Sequence, residues 1–227
     1  MREVDRLMVD EYGIQLIQMM ENAGRHLAGL SRALIGPPAG QRILVACGKG
    51  NNGGGGLAAA RHLANWGADV TIGIESADRL ADVPAAQWKA LRGLPVRKVE
   101  GDAAIAAVDP GAHALAIDAL IGYGLRGEPR GWIASMIDRL NAVRTLVLAL
   151  DVPSGLDSTT GRAAGRTIRA AATMTLALPK AGLFAPEAKP FVGKLFLADL
   201  GVPPVLYERI GLRVGALFSD AELIPLG

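Results

Sequence analysis

The feature that most constrains this chain is a series of short, almost wholly apolar runs of β-forming residues separated by stretches with helical spacing. The runs are Ile43 to Cys47, Val70 to Ile74, Val96 to Val99, Ala114 to Ile117, Thr145 to Leu150, Thr173 to Leu178 and Lys194 to Leu197. Most lack the alternation of a strand with one wet face, so they read as strands covered on both faces, as in a parallel sheet. Helical patterns around Leu57 to Trp66, Ala85 to Leu91 and Trp132 to Leu140 supply the crossovers that cover it. The pattern predicts an α/β protein, a doubly wound three-layer αβα sandwich with a mostly parallel sheet. Val214 to Phe218 is expected to add an edge strand.

Ahead of the sheet, Val4, Leu7 and Met8, then Ile14, Leu16, Ile17, Met20, Ala23, Leu27, Leu30 and Leu34 recur at three- and four-residue steps. This spacing predicts an amino-terminal helical extension, broken by Gly13 and ended by Gly36-Pro37-Pro38. No repeat or linker interrupts the pattern, so residues 1–227 read as one domain. The charged residues between Arg2 and Glu11 do not suit a signal peptide, and no apolar run approaches the ~20 residues of a membrane helix. Lys and Arg number 24 against 22 Asp and Glu, too even a balance for a polyanion-binding surface. Neither nucleic acid nor membrane is therefore expected as a partner. Cys47 is the only cysteine, so an internal disulfide is excluded and a reducing, cytoplasmic setting is expected.

In a doubly wound sheet the segments following the strands' carboxyl ends gather at one edge, where ligands bind. Four polar segments stand there: Gly48 to Gly56, Asp118 to Gly127, Asp151 to Asp157 and Pro179 to Gly182. The first has six glycines in nine positions, which predicts a backbone free to take positive φ and to approach a ligand closely. Gly48, Gly50 and Gly53 match the spaced glycines of a dinucleotide loop, and Glu75 could accept from a ribose. A Walker A loop is excluded, since no Lys-Ser or Lys-Thr follows. Asp118 and Asp151 each follow an apolar strand, where a carboxylate needs solvent, a donor or a cation. With the amide of Asn52 and the hydroxyl of Ser154, Asp118 offers hard oxygen ligands of low total charge, suited to a weakly bound cation.

At these residues the sequence resembles the NAD(P)H-hydrate epimerase family, also called the YjeF amino-terminal domain family. The resemblance rests on Asp5, Met20-Glu21-Asn22-Ala23-Gly24-Arg25, the Gly48 to Gly54 loop, Asp118 to Gly127, Asp151 to Asp157, Leu178 to Leu183 and Ala198 to Pro203. It implies a Rossmann-like fold and an isomerase that interconverts the two epimers of hydrated NADH and NADPH. A separate dehydratase then restores the coenzyme, because the match already reaches Gly227. The resemblance also implies one potassium ion per subunit, on Asn52, Asp118 and Ser154, and a homodimer. Substrate-binding positions fall on Asn51, Asn52, Gly53, Gly54 and Gly55, on Gly122, Tyr123, Gly124, Leu125, Arg126, Gly127 and Glu128, and on Asp151; Lys180 is a secondary candidate to approach a phosphate or the substrate, with an exposed lysine before a turn as the other reading. Asp151 is the expected acid or base at the epimerised carbon, and one carboxylate could assist both halves of the exchange.

One position departs from the family pattern. Its loop commonly reads Asn-Asn-Gly-Gly-Asp-Gly, whereas here Gly55 replaces the Asp. This keeps open a catalytically weakened nucleotide-binding or interaction module as the alternative. A Rossmann-type oxidoreductase is a third reading, drawn from the spaced glycines and Glu75. Cys47 reads as a buried apolar residue, and His26, His62 and His113 lack metal-ligand spacing.

Overall fold

In a computed structural model that describes residues 1–226, the strands at Arg42–Cys47 (β1), Asp69–Ile74 (β2), Val96–Glu100 (β3), Leu115–Ala119 (β4), Leu146–Leu150 (β5), Ala172–Leu176 (β6), Lys194–Ala198 (β7) and Leu223–Leu226 (β8) form one sheet. Its order is β3-β2-β1-β4-β5-β6-β7-β8, and every pairing is parallel except β7 with β8. The chain winds outward from β1 to β3, then crosses to β4 on the other side of β1. The crevice between β1 and β4 is thus the topological switch point.

The helices are Arg2–Asp10 (α1), Leu16–Ile35 (α2), Asn51–Asn65 (α3), Asp82–Ala90 (α4), Gly101–Ala106 (α5), Gly131–Asn141 (α6), Lys189–Val192 (α7) and Pro204–Arg209 (α8). Alternate residues of each central strand face opposite layers. Ile43, Val45, Ile72, Ile117 and Leu148 pack with Leu27 of α2 and Leu57 and Leu63 of α3, while Leu44, Ala46, Ala116 and Val147 pack with Trp132, Met136 and Ile137 of α6. Burial on both faces is why these strands carry no polar alternation. α1 joins α8 through Val4, Leu7, Met8, Leu206 and Tyr207, a smaller cluster at the ligand-binding edge. Gly13, at φ +67, separates α1 from α2, and Gly36, at φ +81, follows α2.

Two expectations need correction. Val214 to Phe218 forms no strand; the edge strand is β8, antiparallel to β7, with Pro225 opposite Phe196. Proline lacks an N–H for the ladder and is tolerated at a sheet edge, which hides this strand from propensity. The glycine-rich segment is likewise no open turn, because α3 begins at Asn51 and takes in Gly53 to Gly56 at ordinary negative φ. These glycines are needed for close packing. A β-carbon on Gly53 would collide with the Gly48 carbonyl, one on Gly54 would lie 2.5 Å from Met20 Sδ, and one on Gly56 would lie 2.5 Å from Ala119 Cβ. Each costs helix propensity of about 1 kcal/mol relative to Ala, which the fully buried contacts of α3 with α2 and β1 offset.

Candidate active site

β5 and β6 are each followed at once by a residue forced out of the ordinary backbone regions. Asp151 has φ +68, and Val152 N–H donates to the Leu150 carbonyl at 2.9 Å, closing a three-residue turn around it. Ala177, after β6, has φ +61, and Leu178 N–H donates to the Leu176 carbonyl at 2.7 Å in the same way. Among the described residues these are the two non-glycines at positive φ. Such turns are strained, and their clustering at one edge marks a place where side-chain direction matters. The first turn brings Asp151 onto the wall of a cavity; the second begins the segment that returns Lys180 to it.

Asp151 and Lys180 are both buried and form an ion pair through Oδ1 and Nζ. Lys180 also donates to the Leu176 carbonyl at 2.8 Å, and Asp151 Oδ2 accepts from the backbone N–H of Tyr123 at 2.9 Å. The turn after β4 approaches so closely that a β-carbon on Gly122 would lie 2.7 Å from Asp151 Oδ2 and 3.1 Å from Asn52 Oδ1. Glycine at 122 is thus what lets Asn52 and Asp151 face each other across the crevice.

Asp118 lies below this turn and, unlike Asp151, within its strand rather than after it. It is fully buried: Oδ1 accepts from Ser154 Oγ at 2.6 Å and from Leu120 N–H at 3.2 Å, and Oδ2 from Ser154 N–H at 2.8 Å. Burial outweighs these donors and pushes its carboxyl up to about 6. Ser154 Oγ accepts in turn from Ile121 N–H at 2.8 Å. The turn at 120–123 therefore meets Asn52, Asp118, Asp151 and Ser154. Asn52 Nδ2 is buried without a partner. Turning that amide over would put its oxygen in the buried, unpartnered position, leaving an acceptor for a cation to fill.

The cavity holds about 520 Å³. Its polar side is formed by Lys49, Asn51, Asn52, Tyr123, Arg126, Asp151 and Lys180, with Gly55, Gly122 and Gly124 between them. Gly53, Gly54, Leu125, Gly127 and Glu128 are not on its wall: the first two are consumed in helix packing, and Glu128 pairs with Arg166 at 3.7 Å. Sequence reasoning missed the apolar side, formed by Leu16, Met19, Met20 and Ala23 of α2 with Ile133, Leu150, Leu176 and Leu200. Nor did it place Arg2 and Asp5 of α1 on the cavity wall, although Asp5 is among the residues that carry the resemblance. The signal available was the apolar stripe of α2, but nothing in its spacing says which part faces a cavity. A β-carbon on Gly55 would lie 2.9 Å from Leu150 Cδ2, so Leu150 covers the ground of the carboxylate expected from the family.

Other sequence signals fall away from this site. Glu75, the ribose acceptor of the oxidoreductase reading, pairs with Arg79 off the cavity wall. Cys47 is buried with its thiol pushed up by desolvation, and His62 meets Glu21 at 2.7 Å on the α2–α3 surface. Among the described residues no helix is long and apolar enough to cross a membrane. No cluster of three His, Cys, Asp or Glu side chains suits a metal among the described residues.

Comparison with known proteins adds a second line. A family model described as YjeF-related protein N-terminus matches residues 16–182. The chain is 45% identical over 214 residues to the NAD(P)H-hydrate epimerase of Dehalogenimonas lykanthroporepellens, covering 94% of this chain and 84% of that one. It is 36% identical over 213 residues to the NAD(P)H-hydrate epimerase of Rhodopirellula baltica, covering 93% and 86%. Against the bifunctional NAD(P)H-hydrate repair enzyme Nnr of Salinibacter ruber it is 37% identical over 98% of its own length but spans 43% of that protein. The crystal structure of yeast ynu0 has the same fold, with a TM-score of 0.83 over 99% of this chain and 96% of that one at 21% identity.

Proposed function

The chain belongs to the family of YjeF-related protein N-termini, and from that premise we propose that it is an NAD(P)H-hydrate epimerase, an isomerase that interconverts the two epimers of hydrated NADH and NADPH in nicotinamide nucleotide repair. The observation that carries the reading is Asp151. A strained turn holds its carboxylate on the wall of the switch-point cavity, fixed by Tyr123 N–H and Lys180 and faced by Asn52.

In this reading Asn51, Asn52, Gly55, Gly122, Tyr123, Gly124 and Arg126 cradle the substrate, and the apolar wall from α2 takes an aromatic face. The Asp151–Lys180 pair stands at the hydroxyl-bearing ring carbon. A proton delivered from the pair lets the hydroxyl depart as water while the ring nitrogen's lone pair moves into the C–N bond. Water adds back to the other face and the electrons return to nitrogen. Burial keeps the pair out of bulk solvent, which strengthens its field at the reacting carbon.

A potassium ion, one per subunit, is part of the proposal. Asn52, Asp118 and Ser154 would hold it: Asp118 is a fully buried carboxylate with only neutral donors, and the Asn52 amide has an orphaned atom. One formal charge among oxygen ligands suits a monovalent cation better than zinc. When bound, it supplies a fixed positive charge beneath the substrate cradle. We take the setting as cytoplasmic and the assembly as a homodimer, to which exposed apolar Ile17 and Val205 lend support. The functional partner is a separate NAD(P)H-hydrate dehydratase, an activity suggested by the bifunctional name of the longer Salinibacter relative.

The test is a mixture of both hydrate epimers with a stereospecific dehydratase. Adding this protein converts the whole mixture rapidly to coenzyme. Conversion that stalls at one epimer's share and then creeps at the uncatalysed rate refutes the reading.

A further inference from the structure

Inverting a carbon by loss and return of water calls for acid–base help on two sides, since the hydroxyl leaves from one face and the new oxygen arrives on the other. The Asp151–Lys180 pair occupies one wall. A second pair faces the same cavity from α1: the Tyr123 hydroxyl donates to Asp5 Oδ2 at 2.5 Å, and both residues line the space. The backbone N–H of that same tyrosine donates to Asp151 Oδ2. One residue therefore spans the two carboxylates and holds them apart by its own length.

The rest of the fold supports this placement. Val4, Leu7 and Met8 anchor α1 to α8, whose Tyr207 hydroxyl donates to the Ala177 carbonyl at 3.3 Å, in the turn that leads to Lys180. The α1–α8 cluster thus grips both the Asp5 side and the Lys180 side of the cavity. Burial pushes the Asp5 carboxyl above the usual carboxylate range, and burial with the Asp5 hydrogen bond pushes the Tyr123 hydroxyl above its ordinary value. The tyrosine keeps its proton, and the carboxylate becomes a better proton acceptor than an exposed one.

The geometry assigns to Asp5 and Tyr123 the second acid–base site of the reaction, serving the ring face opposite Asp151; the assignment rests on the epimerase reading above. In one direction the Asp151–Lys180 pair gives a proton to the departing hydroxyl, the C–O bond breaks with its electrons on oxygen, and the nitrogen lone pair forms the C=N bond. Water then attacks from the other face, the π electrons return to nitrogen, and Asp5 takes the proton that water sheds. The opposite direction reverses both transfers. Each turnover moves one proton from pair to pair, and solvent or the reverse turnover resets them.

Reaction in ¹⁸O-water separates this from a structural role. Wild-type protein inverts the carbon and labels the ring hydroxyl of both epimers. In Asp5→Asn and Tyr123→Phe, inversion is expected to fall about 100-fold, while one epimer still exchanges its hydroxyl for ¹⁸O with configuration retained, at close to the wild-type rate. That retained exchange also reports an intact fold and an intact Asp151. If inversion and retained exchange fall in parallel, the pair only positions Asp151 and the assignment is wrong. It is equally wrong if neither falls in either variant. Wild-type protein that neither inverts nor labels overturns the epimerase reading and this assignment with it.

Discussion

Asp118 and Asp151 stand at the carboxyl ends of neighbouring parallel strands, each after an apolar run, and the structure gives them opposite situations. Asp118 stays in the strand, fully buried, with both oxygens held by Ser154 and Leu120. Asp151 leaves the strand at φ +68, meets Lys180 and Tyr123 N–H, and lines the cavity. One backbone angle decides between a carboxylate that ties loops together and one that is presented to a ligand. Strand-end position alone therefore says that a carboxylate is near the site; the turn says which one reaches the cavity.

The largest effect expected from breaking this contrast is in Asp151→Asn. Asparagine tolerates positive φ, so the turn survives, while epimer exchange falls about 10²- to 10⁴-fold, the range for loss of a general acid–base group. Circular dichroism and an exchange assay on the same preparation check it. Asp151→Ala should lose as much rate and also melt earlier, because alanine in the left-handed region costs about 1–2 kcal/mol.

Asp118→Ala should do the reverse, acting on stability first. It leaves the N–H groups of Ser154 and Leu120 without their acceptor, and each buried orphan costs about 1–3 kcal/mol. Denaturant unfolding should show a loss of that order. Activity per folded molecule should fall less than in Asp151→Asn.

Withdrawal of the proposed potassium ion sharpens the same distinction at smaller scale. Replacing it with a bulky organic cation should lower the melting temperature of the wild type and of Asp151→Asn, but leave Asp118→Ala unchanged. At a hundredfold excess over its dissociation constant a bound ion stabilises by about 2.7 kcal/mol, which sets the ceiling on the shift. Equal shifts in all three proteins would remove Asp118 from the ion's shell.

The smallest effect is expected at Gly55→Asp. The new β-carbon crowds the end of the Leu150 side chain, at 2.9 Å, which a rotamer change relieves, and meets Ala23 Cβ at an ordinary 3.8 Å. Steady-state kinetics should show KM shifting more than kcat, since position 55 is on the cavity wall but makes no contact with Asp151 or Lys180 in the bonds that fix them.

The sheet was legible because strands such as Leu146–Leu150 are apolar on both faces, whatever their neighbours are. β8 was not, since Pro225 argues against a strand until the free edge of β7 is in view. The glycines of α3 were legible as a constraint, yet their cause was misread. The colliding atoms belong to Gly48, Met20 and Ala119, and proximity across the chain leaves no local trace. The oxygen set Asn52, Asp118, Asp151 and Ser154 could be picked out because strand ends share one edge. Asp5 stood out in the sequence as part of the family resemblance, but nothing placed it at the site: its contact with Tyr123, 118 positions away, is what brings it there.

A crystal structure with a stable hydrated-nicotinamide dinucleotide analogue bound would show whether the Asp151–Lys180 pair meets the reacting carbon. The ring is expected in the crevice between β1 and β4, its hydroxyl-bearing carbon against Asp151 and its dinucleotide arm along Asn51 and Gly55. A ring seated elsewhere, with the Asp151–Lys180 pair untouched, would contradict the role proposed for Asp151.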